Sequence, residues 1–374
     1  MKEDVTAARG LDSRQNSLNF LRLVFAVAVI ASHTASVGGY GREPELLGVT
    51  IGTWAVAGFF AISGYLIANS RTHRDFGGFL VRRILRIYPG YLVCLVLTAL
   101  VFAPLGAAIG SGEYKWSSAL GYLYKNSYLK INQYDISSTL DHVPYPKVWD
   151  GSLWTLRHEF ICYLLVAAVL TLRRHRLQAV LAAFVALAAI AIFSQHHSHP
   201  AQVGTLSLLA STFFAGSLIA LLGERISLTW KLAVPACAVL VASALAGEMN
   251  TLGAIPLAYI CLWLGRALPF HKVGRRNDIS YGIYIYGMPV QQLLVLAHVQ
   301  RVSAPLFTLI ATVATIPLAM ASWFWVERPA LRAAGRFDTV IRRQLRMGPP
   351  LPTPAPGKAL MGPRHARQAR DVVG

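Results

Sequence analysis

Residues 17–37 read SLNFLRLVFAVAVIASHTASV, an apolar stretch in which only Arg22 and His33 can carry a charge. About 20 such residues are enough for a helix to cross a hydrocarbon core of about 30 Å. Comparable stretches recur along most of the chain. Inside a bilayer only helices and closed barrels satisfy the backbone polar groups. The sequence therefore predicts an all-α integral membrane protein.

The composition agrees with a membrane protein and bears on its partners. Apolar residues make up 55% of the 374 residues, charged residues make up 14%, and the mean hydropathy is +0.47. A soluble domain usually carries about a quarter charged residues. The net charge of +18 would suit a nucleic-acid binder, but the basic residues lie in short clusters between apolar stretches. We therefore predict membrane lipid and an anionic cytosolic ligand as partners, and no nucleic acid.

Ten apolar stretches are predicted to span the membrane. They are residues 17–37, 48–70, 88–109, 151–172, 177–195, 202–223, 229–247, 250–268, 279–299 and 303–326. With the N-terminus inside, basic residues accumulate in the inner segments, such as 71–86 and 272–276, and the outer segments hold few. This asymmetry predicts an even number of spans with both termini in the cytoplasm.

Three regions follow from this pattern. Residues 1–16 are predicted to be a cytoplasmic N-terminal tail, and residues 17–332 the transmembrane domain. Residues 333–374 are basic and become rich in proline after Met347, which predicts a partly disordered cytoplasmic tail. The largest outer segment, 110–150, is rich in Tyr, Ser and Asn and could close over a site.

Arg22 and His33 lie on one face of the first predicted span. Eleven residues at 100° each return to within about 20° of the same face and rise about 16 Å. Ionisable side chains inside a span are costly and usually face the protein interior or a wet cavity. This span runs outwards, so Arg22 is predicted near the cytoplasmic surface and His33 in the outer half. The alternative is an arginine that snorkels to lipid headgroups and a histidine bonded across helices.

A cluster of arginines precedes the third predicted span. The inner segment FGGFLVRRILRIYPGY contains Arg82, Arg83 and Arg86, and if it is helical Arg86 shares a face with each of the other two. Guanidinium groups clasp phosphates in bidentate fashion. The cluster therefore indicates a phosphate-bearing ligand on the inner side, with a simple topology anchor as the alternative.

The fourth predicted span begins GSLWTLRHEFICYLL and contains Glu159. Glu159 is expected about two turns below the outer surface, at a depth similar to that of His33, with Tyr163 one turn further on. A buried carboxylate needs a partner. We predict that Glu159 orients His33, which would make the imidazole a general base. The alternative is a pair between Glu159 and another residue that only holds the packing.

Further polar residues could line a substrate site. The segment SYGIYIYGMPV places Tyr281 at the start of the ninth span, where it could contact a sugar, although we favour an interfacial aromatic belt. Ser63, Tyr163 and Arg157 could supply hydrogen bonds to a developing oxyanion. Neither the cysteines nor the histidines indicate a metal site, and we predict no bound metal.

Taken in order, six segments resemble the membrane acyltransferase 3 family, which O-acylates glycans and some antibiotics. They are Arg22-x10-His33, FFAISGYLIA, RRILRIYP, GSLWTLRHEFICYL, SYGIYIY and WVERP, and together they cover residues 17–332. The chain departs from the family at Gly287 or Met288, where many members have a histidine.

The resemblance implies an enzyme of the bacterial cytoplasmic (inner) membrane. It implies acyl-CoA, with acetyl-CoA expected, as the donor substrate and no permanently bound cofactor. By position, His33 is then catalytic, Arg22, Arg83 and Arg86 contact the donor, and Trp154 and Glu159 are site positions.

The resulting hypothesis is an O-acyltransferase, most simply an O-acetyltransferase, that acts on a carbohydrate or glycolipid hydroxyl at the extracytoplasmic side. In it, His33 removes the hydroxyl proton or carries the acyl group itself. The competing hypothesis is a polytopic transporter or glycan flippase in which His33 and Glu159 relay protons.

Overall fold

The structure is a computed structural model that describes residues 6–7, 11, 15–72, 76–196 and 201–335. Helices account for most of these residues, and one two-stranded hairpin joins the first two long helices. The prediction of a helical membrane protein is confirmed. Residues 336–374 of the predicted C-terminal tail and most of residues 1–14 lie outside the described residues.

Twelve α-helices are described. They are α1 Leu18–Val37, α2 Ile51–Thr72, α3 Phe76–Leu97, α4 Ala103–Gly110, α5 Trp116–Asn126, α6 Trp154–Val169, α7 Arg176–His196, α8 Ala201–Leu221, α9 Trp230–Leu245, α10 Ala254–Ala267, α11 Ser280–Leu296 and α12 Ala304–Ser322. The hairpin strands are β1 Glu45–Leu46 and β2 Val49–Thr50. α1 packs against α2, α11 and α12, which places the first predicted span inside the bundle.

Seven helical stretches of the described residues are long and apolar enough to cross a membrane. They are Leu18–Val37, Ile51–Arg71, Phe76–Gly110, Gly151–Val169, Arg173–Gln195, Val203–Leu221 and Ala304–Gly335. The other three predicted spans occur as α9, α10 and α11, which have 16, 14 and 17 residues. At 1.5 Å per residue these helices rise only about 21–26 Å. Length and composition therefore identify seven spans where the sequence predicted ten.

The arginine segment before the third predicted span is helical rather than a connection. α3 begins at Phe76 and continues through a π-helical turn, Thr98–Phe102, into α4. The whole stretch has 35 residues and rises about 52 Å, which exceeds the hydrocarbon thickness. The segment before residue 88, which was predicted to be a connection, is therefore part of the same helix, because Leu and Arg favour helix and extend it past the membrane core.

α2 and α8 approach each other closely through two glycines. A Cβ atom on Gly64 would collide with the backbone carbonyl of Phe213, and one on Gly216 would collide with that of Ala61. Ser217 Oγ adds a hydrogen bond of 3.1 Å to the carbonyl oxygen of Gly64. Small residues allow such contact between membrane helices. Gly64 and Gly216 therefore allow α2 to pack closely against α8.

The segment between α1 and α2 folds back over the end of α1. Leu47 and Gly48 form the hairpin turn with positive φ angles of 55° and 73°, as a type I′ turn requires. Trp54 Nε1 donates a hydrogen bond of 3.0 Å to the carbonyl oxygen of Leu46, and Gly52 N donates one of 2.9 Å to Ser32 Oγ. These contacts hold the segment that carries Glu43 beside the last turns of α1.

Candidate active site

His33 and Glu43 form a hydrogen-bonded pair near the end of α1. The Nδ1 atom of His33 lies 3.0 Å from the Oε1 atom of Glu43, and both side chains are about one-quarter exposed, at 27% and 25%. Ser32 Oγ donates a bond of 2.6 Å to the other carboxylate oxygen, Oε2. Glu43 is therefore held from both sides and keeps its orientation towards the imidazole.

The charge state of Glu43 follows from these bonds. The hydrogen bond with His33 lowers the pKa of Glu43 below its ordinary value, the bond from Ser32 lowers it further, and burial opposes them. An ionised Glu43 can only accept, so His33 Nδ1 carries the proton in the shared bond. The Nε2 atom then has a free lone pair, which is the arrangement of a general base oriented by a carboxylate.

A cavity of about 140 Å³ opens beside this pair. Its walls come from α1, the hairpin, α2, the start of α6, α8 and α11, and they include His33, Glu43, Trp154, Thr155 and Tyr284. The lining combines polar side chains with apolar ones such as Val29, Val56 and Leu209. A small hydroxyl-bearing group could reach the imidazole here.

A smaller cavity of about 30 Å³ lies on the arginine side of α1 and is lined by Arg22, Glu159 and Tyr281. Val56, Thr155 and Tyr284 line both cavities. The Tyr284 hydroxyl lies 2.5 Å from Thr155 Oγ1 and donates a bond of 2.8 Å to the carbonyl oxygen of Ser152. The two cavities therefore share a wall, which includes Val56 and this bonded pair of hydroxyl side chains.

Arg22, which lines the smaller cavity, also belongs to a largely buried ion network that joins four elements of the fold. Asp278 Oδ2 accepts bonds from Arg22 at 2.8 Å and from Arg86 at 2.6 Å. Arg86 also lies 3.5 Å from Glu327, and Ser280 Oγ donates to Asp278 Oδ1 at 2.6 Å. Burial disfavours an ionised Asp278, but the two arginines outweigh it and lower its pKa to about 2. Asp278 is thus a permanent anion between two cations.

The predicted pairing of His33 with Glu159 was wrong. Glu159 Oε1 accepts bonds from Ser63 Oγ at 3.0 Å and from the Tyr163 hydroxyl at 2.5 Å. Glu159 lines the smaller cavity with Arg22, on the far side of the Thr155 and Tyr284 wall. His33 and Glu159 were predicted to pair because they lie at similar depths in their helices, but the side chains of Thr155 and Tyr284 lie between them. Ser63 and Tyr163, predicted near the substrate, line neither cavity and instead hold Glu159.

The predicted donor arginines lie on α1 and α3. Arg22 and Arg86 share Asp278, so Arg22 contacts protein rather than lipid headgroups. Arg82 and Arg83 are half-buried on α3. The Arg83 guanidinium lies over the rings of Phe79 and Tyr163, at 5.7 Å and 5.9 Å from their centroids. The structure therefore brings Arg22 and Arg86 together through a carboxylate that the sequence analysis did not select.

Trp154 and Tyr281, the other predicted substrate-site residues, differ in exposure. Trp154 lines the His33 cavity and is 37% exposed. Tyr281 is buried, lines the Arg22 cavity and donates a bond of 2.7 Å to the carbonyl oxygen of Ile87. The aromatic belt that we favoured for Tyr281 was therefore wrong, because its ring packs inside the helical bundle.

Glu43 and Asp278 are the two site carboxylates that sequence reasoning missed. Both residues lie in connections between helices, whereas the carboxylate predicted to orient His33 lies inside a predicted span. Glu43 follows His33 by ten residues in the glycine-containing segment SVGGYGREPE, where a reversal of the chain could have been anticipated. Asp278 stands two residues before Ser280 at the start of α11, and no local signal connects it with Arg22 or Arg86.

Comparisons with known proteins bear on the same chemistry. A family model described as an acyltransferase domain matches residues 15–324. The chain is 31% identical over 332 residues to an O-acetyl transferase of Shigella phage Sf6, a match that covers 84% of this chain and 96% of the relative. It is 27% identical over 369 residues to Nodulation protein 10 of Rhizobium leguminosarum bv. viciae, covering 88% and 96%. No solved structure matches the chain.

Proposed function

The chain belongs to the membrane acyltransferase 3 family, and from this premise we propose that it carries an acyl group from cytosolic acyl-CoA to a glycan or glycolipid hydroxyl at the extracytoplasmic side. Acetyl is the proposed acyl group. The family match makes the chain an acyltransferase, so the transporter hypothesis is not retained. We further propose ten spans, both termini in the cytoplasm, and a bacterial inner membrane as its location.

The observation that carries the proposal is the bond between His33 and Glu43 beside the larger cavity. His33 Nε2 removes the proton of the acceptor hydroxyl as its oxygen attacks the thioester carbonyl. The carbon–sulfur bond then breaks, and the proton on His33 passes to the leaving thiolate, which departs as free CoA. The ionised Glu43 stabilises the imidazolium that forms between these steps. Glu43 thus takes the orienting role predicted for Glu159.

The wall between the two cavities is the proposed position of the thioester. Thr155 and Tyr284 line both cavities, so their hydroxyls are close to any group that reaches from the Arg22 side to His33. We assign them the oxyanion stabilisation that the sequence analysis gave to Ser63, Tyr163 or Arg157. Both hydroxyl protons are now used within the pair and on the Ser152 carbonyl oxygen, so in this proposal the hydroxyls rotate to donate to the developing oxyanion when the thioester is bound.

The donor would enter from the arginine side. Its phosphates compete with Asp278 for Arg22 and Arg86, and Arg82 and Arg83 supply further charge on α3. The distance from Arg22 to His33 along α1 is about 16 Å, which is comparable to the extended arm of coenzyme A. In this proposal, Arg22 and Arg86 bind the donor only when Asp278 releases them.

The test uses purified protein in lipid vesicles, with labelled acetyl-CoA and an extract of bacterial surface glycans as acceptor. His33→Ala should lower transfer about 10²–10⁴-fold, the usual contribution of a general base. The matched control is His142→Ala, because His142 is an exposed histidine of the outer segment. Full transfer by His33→Ala would refute the mechanism. Mass spectrometry of surface glycans from cells with and without the gene identifies the acceptor.

A further inference from the structure

A groove of about 530 Å³ lies beside the His33 cavity and has no role in the mechanism above. It is formed by residues 129–134 of the outer segment, the first two turns of α6 and the start of α8. The lining includes Lys130, Tyr134, Trp154, Arg157, His158, Ile161, Val203 and Leu206. Trp154, Arg157, His158 and Ile161 share a helix face through their i, i+3, i+4 and i+7 spacing.

The polar part of the groove is basic. Lys130 and Arg157 line it, and no aspartate or glutamate does. Across the parts of the chain that the structure describes, neither of these cations belongs to an ion pair. His158 Nδ1 donates a bond of 3.0 Å to the carbonyl oxygen of Trp154, which leaves Nε2 as an acceptor for a hydroxyl. Such a set suits an anion, and guanidinium is well matched to phosphate.

The rest of the groove is apolar. Ile161, Val203 and Leu206 line it two turns into α6 and at the start of α8. Seven residues of helix separate Trp154 from Ile161, a rise of about 10 Å. The groove therefore has positive charge near the start of α6 and an apolar surface along α6 and α8. An occupant that satisfies both parts has an anionic head and a hydrocarbon chain.

Trp154 connects the groove with the catalytic cavity, because it lines both. Trp154 is 37% exposed, and its ring contacts the His158 ring edge-on, with centroids 5.2 Å apart. A partly exposed indole combines a flat apolar face with a polar edge, which suits the mixed surface of a sugar ring. A molecule held by Lys130 and Arg157 could thus extend over Trp154 and present a hydroxyl to His33.

The outer wall of the groove is fixed before any ligand binds. Asn126 Oδ1 accepts bonds from the backbone N–H groups of Asn132, at 2.8 Å, and Gln133, at 3.1 Å. Asn126 Nδ2 donates a bond of 2.7 Å to the carbonyl oxygen of Gln133. The segment that carries Lys130 is therefore tied to the end of α5. A preformed wall reduces the ordering cost of binding.

From this arrangement we propose that the groove binds the acceptor as a saccharide attached to a lipid through phosphate. The phosphate lies between Lys130 and Arg157, the sugar crosses Trp154, and the lipid chain follows Ile161 and Leu206. This inference rests on the proposed function, since it names the substrate class that meets His33. It selects a membrane-anchored, phosphate-bearing acceptor over a free sugar.

The test is a binding measurement that does not depend on catalysis. Purified protein in nanodiscs is titrated with polyprenyl phosphate, uncharged polyprenol, glucose 1-phosphate and phosphatidylglycerol, and the bound ligand is counted by native mass spectrometry. Polyprenyl phosphate should bind at least about ten-fold more tightly than the other three. Arg157→Gln and Lys130→Gln should each weaken it about ten-fold, the loss expected for one charge-assisted contact. Arg174→Gln, an exposed basic residue between α6 and α7, is the matched control and should bind normally.

The outcomes separate this proposal from the proposed function. His33→Ala should bind polyprenyl phosphate as the unaltered protein does, although its acetyl transfer falls about 10²–10⁴-fold. Equal binding of phosphatidylglycerol or glucose 1-phosphate would overturn the proposal, as would unchanged binding in both Arg157→Gln and Lys130→Gln. If binding follows the expectation but no acetyl transfer from acetyl-CoA is found, the proposed ligand of the groove is supported and the proposed function is refuted.

Discussion

The Nδ1 atom of His33 lies 3.0 Å from the Oε1 atom of Glu43. Glu159, the carboxylate at similar depth in α6, instead accepts hydrogen bonds from Ser63 and Tyr163. A histidine can act as a base only if its second nitrogen is left unprotonated, and the bond to an acceptor on Nδ1 has that effect. The connection between α1 and α2 thus supplies the partner that the membrane-spanning helices do not.

Substitution of Glu43 and of Glu159 shows which carboxylate contributes more to the rate of acetyl transfer. Glu43→Gln should lower the rate of acetyl transfer by about 10²-fold or more, because the charge that stabilises the imidazolium is lost. The KM for acetyl-CoA should change little. Glu159→Gln keeps the side-chain shape and should reduce the rate by a smaller factor. Initial rates with purified variants in vesicles provide the measurement. A larger loss of rate in Glu159→Gln than in Glu43→Gln would contradict the role assigned to Glu43.

Much of the fold could be predicted from the sequence, because hydropathy depends on local composition. All ten apolar stretches are helical, and the bounds of α1 agree with prediction within a residue. The arginine segment was misjudged because charge density is a guide to topology but not to where a helix begins. The site was harder to predict. Glu43 approaches His33 because the chain reverses after α1, where Gly39 and Gly41 have positive φ angles of 75° and 125°, and such a tertiary contact leaves no periodic signal.

The network around Asp278 should be a major source of stability. Asp278→Asn leaves Arg22 and Arg86 close together without the charge between them. Removing one member of a buried ion network costs about 3–5 kcal/mol. The matched control is Glu113→Gln, because Glu113 pairs with Lys115 on the surface, where both are more than half exposed, and such pairs contribute about 0–1 kcal/mol. Unfolding in mixed micelles measures both changes, and equal losses would contradict the expectation.

The same carboxylate predicts how stability depends on pH. The pKa of Asp278 falls from 3.8 to about 2 in the folded protein. The unfolded chain therefore binds its proton first as the pH falls, so the stabilisation is complete above about pH 4 and disappears as the pH falls through about pH 2. The gap in melting temperature between the unaltered protein and Asp278→Asn should be constant from about pH 7 to pH 5, narrow below about pH 4 and close once the pH is below about 2. A gap that closes near neutral pH would show that Asp278 does not ionise as described.

Close contact between α2 and α8 should make Gly64 intolerant of larger side chains. Gly64→Val places a branched side chain against the backbone of Phe213, and overpacking of this kind costs about 1–3 kcal/mol or more. The yield of monodisperse protein from detergent and its melting temperature should both fall. Gly335→Ala is the control, because a Cβ atom there meets nothing within 4 Å among the residues that the structure describes. Normal melting of Gly64→Val would mean that the two helices can separate without cost.

The proposed topology can be tested with single cysteines. A membrane-impermeant maleimide applied to intact spheroplasts should label Lys115→Cys in the outer segment and leave Arg174→Cys, between α6 and α7, unlabelled until the membrane is opened. Both positions are exposed, so a difference in labelling reports the side of the membrane rather than burial. The background should carry Cys237→Ala, because Cys237 is an exposed native cysteine and Cys94, Cys162 and Cys261 are buried. Labelling of Arg174→Cys from outside would reverse the orientation and place His33 on the cytoplasmic side. The basic residues around α3 would then face away from cytosolic acyl-CoA, so this result would refute the proposed path of the acyl group even if transfer itself were observed.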